Sequence, residues 1–244
     1  VIHYHGTPIT PDSAAVAVLA GRHAMVSYAH PQQTALIAEV CQSFTMDNGA
    51  FSAWKTGAKV DWCGYYEWVG EWMRHPGFDW ALIPDVIDGD ERANDELVEN
   101  WPLGSIGVPV WHMHESLARL ERLAHEWPRV CIGSSGEYAT VGVVSWWVRM
   151  TAALRVVCDR EGRPICKLHG LRMLNPEVFS RLPLASADST NIGQNIGIDQ
   201  AWRGNYMPPT KEARAQVMRE RIEAHNGLTH WRDERALMTQ EVLI

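Results

Sequence analysis

Residues 165–190 read ICKLHGLRMLNPEVFSRLPLASADST. Ile165 to Leu168 has the short apolar make-up of a buried strand, closed by the polar turn His169-Gly170. Asn175-Pro176 then opens a short helix, because proline in the first helical turn sacrifices no needed donor. Leu184 to Ala187 is a second short apolar strand, and it delivers Asp188 at its tip. Strand, helix and strand in succession form one parallel α/β unit. A carboxylate at that tip either caps the next helix or faces a substrate, and we read Asp188 as facing a substrate.

The same unit repeats back through the chain. Strands are expected at Ile2 to His5, Ala24 to Tyr28, Ser43 to Met46, Trp80 to Ile83, Val108 to Trp111 and Val130 to Ile132. With the two above they make eight. Helical spacing marks Ser13 to Leu19, Thr34 to Val40, Trp62 to Met73, Glu91 to Trp101, Leu117 to Trp127, Val143 to Cys158 and Glu212 to Ala224. Asp12 or Ser13 is available to cap the first of these. No change of composition marks a linker, so residues 1–244 are expected to form a single domain. Eight βα units in that length predict an α/β fold of the closed (β/α)8 TIM-barrel type, whose usual size is ~250 residues. An open doubly wound sheet usually carries a GxGxxG turn after its first strand, and there is none here.

Hydrophobic residues make up 46% and charged residues 21%, which is ordinary for a globular protein. The 12 tryptophans follow no period and read as packing. No run approaches the ~20 apolar residues of a membrane span, and no charged-then-apolar leader opens the chain. A cytoplasmic protein with no membrane partner is expected. Five cysteines, odd in number and never spaced CxxC, argue against a disulfide framework or a thiolate zinc site. The net charge of −7 is uneven: the acidic excess lies before residue 140 and a small basic excess after it. A basic second half suits contact with phosphates, and Arg214, Arg219 and Arg221 equally suit a solvated helix face. The tail from Trp231 to Ile244 is assigned no function.

A barrel carries its catalytic groups just after the strands, on one rim. Those positions hold Asp47, Asp85, His112, His114, Gly133 to Gly136, His169 and Asp188. Each has an ordinary use when taken alone. Asp47-Asn48-Gly49 is a turn signal, Asp188-Ser189-Thr190 an adequate N-cap, and His169 a plausible hydrogen-bonded shell residue. Their convergence on one mouth points to carboxylate chemistry, and the absence of a GxSxG elbow weakens a serine hydrolase. A metal-dependent hydrolase stays open. Asp47, Asp85, His112, His114 and Asp188 are possible ligands, and His3 and His5 share one face of the first strand.

Four segments occur in a telling order: FTMDNGAFSAW (44–54), LIPDVID (82–88), RVCIGSSGEY (129–138) and KLHGLRMLNPEVFSRLPLASADST (167–190). Over roughly Ser43 to Asn195 the chain resembles the queuine/archaeosine tRNA-guanine transglycosylases. It more closely resembles their small phage and bacterial relatives, which place 7-deazaguanine bases (preQ0-type) into DNA. The resemblance implies Asp188 as the nucleophile at C1′ of a guanosine and Asp47 as the proton shuttle. It implies Asp85 as acceptor from the N1–H and 2-amino edge of the base, with backbone donors around Gly133 and Ser134 on the purine carbonyl. His112 or His114 stands where the family has a glutamine, and His169, in the segment leading to the nucleophile, is counted with them and Phe51 as substrate-binding. Phe51, Trp54, Trp111 and Tyr138 are aromatic residues placed to stack on a flipped-out base.

The zinc-binding CxCxxC…His insertion of the tRNA enzymes is missing, so DNA rather than a tRNA anticodon is the implied substrate. Neither a metal nor a cofactor is expected in the site. The implied partners are guanine-containing DNA and a free 7-deazaguanine base, with a homodimer or a partner protein in addition. Gly-Ser replaces the family's Gly-Gly pair, which leaves the incoming base open. Base exchange or hydrolysis on free nucleosides, or on tRNA, is the alternative.

Overall fold

The computed structural model describes residues 1–197, 202 and 206–232. Its strands are β1 (Ile2–Gly6), β2 (His23–Ser27), β3 (Ser43–Asp47), β4 (Phe78–Leu82), β5 (Gly107–Val108), β6 (Val110–His112), β7 (Arg129–Gly133), β8 (Lys167–Gly170) and β9 (Ser186–Ser189). All pair in parallel, in the order β5-β4-β3-β2-β1-β9-β8-β7-β6. The two edges of that order, β5 and β6, are consecutive pieces of one segment separated by Pro109. The chain itself therefore closes the sheet, and the expected (β/α)8 barrel is the observed fold.

Proline explains why the expected strand Val108 to Trp111 is split. Pro109 has no N–H to give to a ladder, and the segment changes neighbours there. Val108 carbonyl accepts from Ile83 N–H at 3.0 Å on one side, and Pro109 carbonyl accepts from Cys131 N–H at 2.9 Å on the other.

Alternation along each strand separates two apolar layers. Ala24, Val26, Phe44, Met46, Trp111, Val130, Ile132, Leu168 and Ala187 point outward into the layer shared with the helices. Tyr4, Met25, Trp80, Leu82, Val108, Val110 and Cys131 point inward and fill the barrel. Both sets are almost wholly buried, and each Val, Leu, Ile, Phe or Met among them contributes about 1.5–3 kcal/mol relative to exposure.

The surrounding helices are α1 (Asp12–Leu19), α2 (Thr34–Val40), α3 (Ala50–Thr56), α4 (Trp62–Trp72), α5 (Glu91–Glu99), α6 (Leu117–Glu126), α7 (Val144–Val157), α8 (Pro176–Phe179), α9 (Asn191–Asn195) and α10 (Lys211–Glu223). Side-chain caps start several of them: Asp61 accepts from Gly64 N–H, Asp90 from Ala93 N–H, Ser116 from Arg119 N–H and Asn175 from Glu177 N–H. The Asn175-Pro176 start is as expected. The cap expected on α1 is not made. The helix begins at Asp12 behind Pro11, Asp12 accepts from Gln33 instead, and the Ser13 hydroxyl donates to Glu212.

The last two strands run two residues later than their apolar stretches suggest. Ile165 is 40% exposed, while His169, Ser186 and Asp188 lie inside the ladder and bond to one another. Mutual satisfaction lets polar residues occupy strand positions that a search for apolar runs passes over. The short helices α3 and α9 were also not expected. Among the described residues no helix is long and apolar enough to cross a membrane. The tail beyond 232 lies outside the described residues.

One buried ion pair ties the helix layer to the closing strand. Arg119 Nη1 donates to Glu115 Oε2 at 2.7 Å and to Val110 carbonyl at 2.9 Å, and its Nε donates to Asp95 at 2.8 Å. Glu115 in turn accepts from His112 N–H at 2.8 Å and from Asn94 at 2.8 Å. Arg119→Met strands the Glu115 charge and should cost about 3–5 kcal/mol in urea unfolding. Arg122→Ala, which removes a solvent-exposed partner of Asp95, should cost less than about 1 kcal/mol. Equal costs for the two would contradict the assignment.

Candidate active site

A cavity of about 450 Å3 opens at the C-terminal ends of the strands, a volume typical of small-molecule sites. Its wall includes Asp47, Asp85 and Asp188, together with Ser27, Asn48, Phe51, Lys55, His112, Gly133, Ser134 and Arg172. Three carboxylates from β3, β9 and the loop after β4 thus face one space.

Asp47 ends β3, and the turn that follows is built as its sequence suggests. Gly49 has φ +77°, a conformation open to glycine at no steric cost, and Asn48 Oδ1 accepts from Ala50 N–H at 2.8 Å to start α3. Removal from bulk water pushes the Asp47 carboxyl up to about 7, with the negative charges of Asp188 and Asp85 adding to the rise. Hydrogen bonds from Ser27 and Gly49 oppose it. Near neutral pH Asp47 is poised between acid and base.

Asp85 is buried and held on both oxygens. Asn48 Nδ2 donates to Oδ1 at 2.7 Å, and His112 Nε2 lies 2.8 Å from Oδ2. A carboxylate has about four lone-pair positions, so acceptor capacity remains on the cavity side. His112 Nδ1 is buried and, among the described residues, has no partner. It sits against Gly133, where a β-carbon would come within 3.1 Å of it, so glycine leaves the imidazole its place.

Asp188 is the third residue of β9 and is 6% exposed. It caps no helix. Its Oδ1 accepts from Arg172 N–H at 2.9 Å and lies 3.3 Å from His169 Nε2, while Ser189 Oγ accepts from Asn191 N–H at the start of α9. Arg172 is the one described residue other than glycine with positive φ, at 59°. Three contacts hold it there: its N–H to Asp188, its Nη2 to Ser134 carbonyl at 2.7 Å, and its guanidinium 4.0 Å over the Phe51 ring. Arg172 and Phe51 form a planar wall beside the three carboxylates.

Of the residues singled out from the sequence, Asp47, Asp85, Asp188, His112, Gly133, Ser134 and Phe51 line the cavity. His114 does not. It is exposed and pins two loops, with Nδ1 2.8 Å from Ser135 Oγ and Nε2 3.0 Å from Gly89 carbonyl. His169 lies beneath the cavity, fully buried, and touches it only through Asp188. Trp54 is half exposed and packs on Phe51, Trp111 points outward into the helix layer, and Tyr138 packs on Arg149. His3 and His5 share a face as expected, but it is the outer face of β1. They bond to His225 carbonyl and to Glu223 of α10, at 3.1 and 3.0 Å. Among the described residues no three His, Cys, Asp or Glu side chains are gathered to hold a metal ion.

Asn48, Lys55 and Arg172 were not singled out from the sequence. Asn48 was hidden inside a turn motif, and Lys55 follows from the helix that the turn starts. Arg172 owes its position to an unusual backbone conformation that carries no composition signal. Fold and site together define a parallel barrel with a carboxylate-lined mouth. Comparison with protein-family models, with curated proteins and with solved structures gave no match.

The raised Asp47 carboxyl has a consequence for stability. The folded state binds a proton more tightly than the unfolded chain, whose value is near 3.8. Stability must therefore fall as pH rises from that value through about 7. Asp47→Asn removes the effect. Between about pH 5 and about pH 8, urea unfolding should move in the variant's favour by more than about 1 kcal/mol relative to wild type. Parallel pH profiles would contradict a raised Asp47 carboxyl.

Proposed function

We propose that the protein is a guanine transglycosylase that exchanges guanine in DNA for a 7-deazaguanine base through a covalent bond to Asp188. The observation that carries this reading is the placement of Asp47, Asp85 and Asp188 around one cavity beside the Phe51–Arg172 wall. The resemblance of the four segments named above points the same way.

The chemistry follows from the roles each group can fill. Asp188 Oδ attacks C1′ of the deoxyguanosine as the C1′–N9 bond breaks, and the bonding pair leaves with guanine. The departing base takes a proton from Asp47, which is half protonated near neutral pH. The result is a glycosyl ester on Asp188, as in retaining glycoside chemistry. An incoming 7-deazaguanine then gives its N9 proton to the Asp47 carboxylate, bonds to C1′ and expels Asp188. Asp47 and Asp188 both return to their starting states.

Recognition falls to the remaining polar wall. Asp85, oriented by Asn48 and His112, accepts from the N1–H and 2-amino groups of the base. The backbone at Gly133 and Ser134 is available to its other edge. A base edge left unmatched in such a site costs about 1–3 kcal/mol. Phe51 offers a stacking face worth about 1–3 kcal/mol per base. A guanine inside a duplex must be flipped out to reach the cavity, and Lys55 and Arg172 at its mouth meet the flanking phosphates. With a net charge of −7 the binding rests on few cations, and it should weaken with added salt.

Incubation with duplex DNA and radiolabelled guanine tests the reading. Label should enter DNA with wild type and not with Asp188→Ala. Asp47→Asn should lower kcat by about 10²–10⁴-fold, and Phe51→Ala should act mainly on KM. No incorporation into DNA, with tRNA also inert, would overturn the proposal. Exchange confined to free guanosine would reassign the substrate to nucleosides.

A further inference from the structure

We infer that Arg129, Ser186 and His169 form a one-way hydrogen-bond relay through the barrel interior that fixes His169 as a donor to Asp188. The role of this relay in positioning a nucleophile rests on the function proposed above; its direction rests on hydrogen-bond chemistry alone. All four residues come from three adjacent strands. Arg129 starts β7, His169 lies in β8, and Ser186 and Asp188 are two apart in β9, so both face inward. Parallel pairing sets Ser186 opposite His169.

The direction of every bond follows from its fixed end. Arg129 Nη1 lies 2.9 Å from Ser186 Oγ, and a guanidinium has donors only. Ser186 Oγ therefore accepts from it. The serine hydroxyl has one hydrogen left to give, and His169 Nδ1 lies 2.8 Å away. If Nδ1 carried the proton instead, the serine hydrogen would lose that acceptor in a fully buried place. Nε2 would then present a lone pair to Asp188 Oδ1 at 3.3 Å. Both faults disappear when Nδ1 accepts and Nε2–H donates.

His169 has little freedom to leave this state. Its ring is 0% exposed and packs edge-on to Trp80 at 4.9 Å and to Tyr4 at 5.9 Å. Burial also disfavours its imidazolium form. Trp80 also carries the Arg129 guanidinium, 5.2 Å from its ring, so the cation that starts the relay is itself held in place. At the other end, His169 Nε2–H and Arg172 N–H converge on Asp188 Oδ1. Among the described residues neither donor reaches Oδ2, and Oδ2 is then the oxygen that bonds to carbon. The carboxylate is turned by a relay that starts at Arg129, the first residue of β7. His169, Ser186 and Arg129 are positioning residues, since none of them lines the cavity.

Nitrogen NMR of protein labelled with 15N-histidine tests the direction without reference to activity. His169 is assigned as the signal missing from the His169→Gln variant. In wild type it should be the neutral Nε2–H tautomer, and in Ser186→Ala it should lose that single tautomeric state. In base exchange, Ser186→Ala should lower kcat about tenfold with KM within about twofold, and Ser186→Thr should restore both the tautomer and most of kcat. An Nδ1–H tautomer or an imidazolium in wild type would overturn the relay. The correct tautomer with kcat unchanged in Ser186→Ala would overturn its positioning role. Absence of base exchange in wild type, with the tautomer as stated, would count against the proposed function and leave the relay standing.

Discussion

The barrel closes through the segment from Gly107 to His112, which bonds to β4 before Pro109 and to β7 after it. A continuous strand bonded to both neighbours would serve the same end, but proline removes one donor and the chain divides the work. Everything at the mouth depends on this closure. It brings His112 opposite Gly133 and within 2.8 Å of Asp85, and it sets the loop after β4 against the loop after β7. The buried Arg119–Glu115 pair braces the same segment from outside, with Glu115 accepting the His112 backbone N–H.

Inside the closed sheet, a gradient of chemistry runs from one end to the other. Apolar side chains fill the middle, but the column under Asp188 is polar from Arg129 upward. Buried polar groups are tolerable only when each finds its partner, and this column meets that demand. The cost of placing Asp188 at the end of a strand is thus met by residues that never touch a ligand. Asp47 has a different environment across the same cavity. Hydrogen bonds from Ser27 and Gly49 offset its removal from water only in part, and its carboxyl rises to about 7. Two carboxylates with unlike surroundings can divide nucleophile and proton carrier between them.

The architecture was legible in the sequence because strands and helices alternate at barrel spacing, and apolar runs mark them. Asp47, Asp85 and Asp188 were legible for the same reason: they follow those runs. His169 was placed on the rim and lies in the interior, because a polar residue that is satisfied by its neighbours does not end a strand. His114 follows His112 by two residues, and after a strand ends that spacing no longer assigns a face, so it turned to Ser135 and Gly89. Trp111 alternates outward from His112, a consequence of strand period that was readable once the strand's inward face was known. Arg172 was unreadable, since its place depends on a left-handed backbone and on partners far away in sequence.

The proposed exchange passes through a carbon–oxygen bond to Asp188. Mixing the protein with a guanine-containing DNA duplex, quenching in denaturant and measuring intact mass tests it most directly. An adduct of the DNA strand less guanine is expected on the peptide containing Asp188, and it should disappear when excess guanine is added before the quench. An adduct on another residue, or exchange of guanine with no adduct at any quench time, would contradict it.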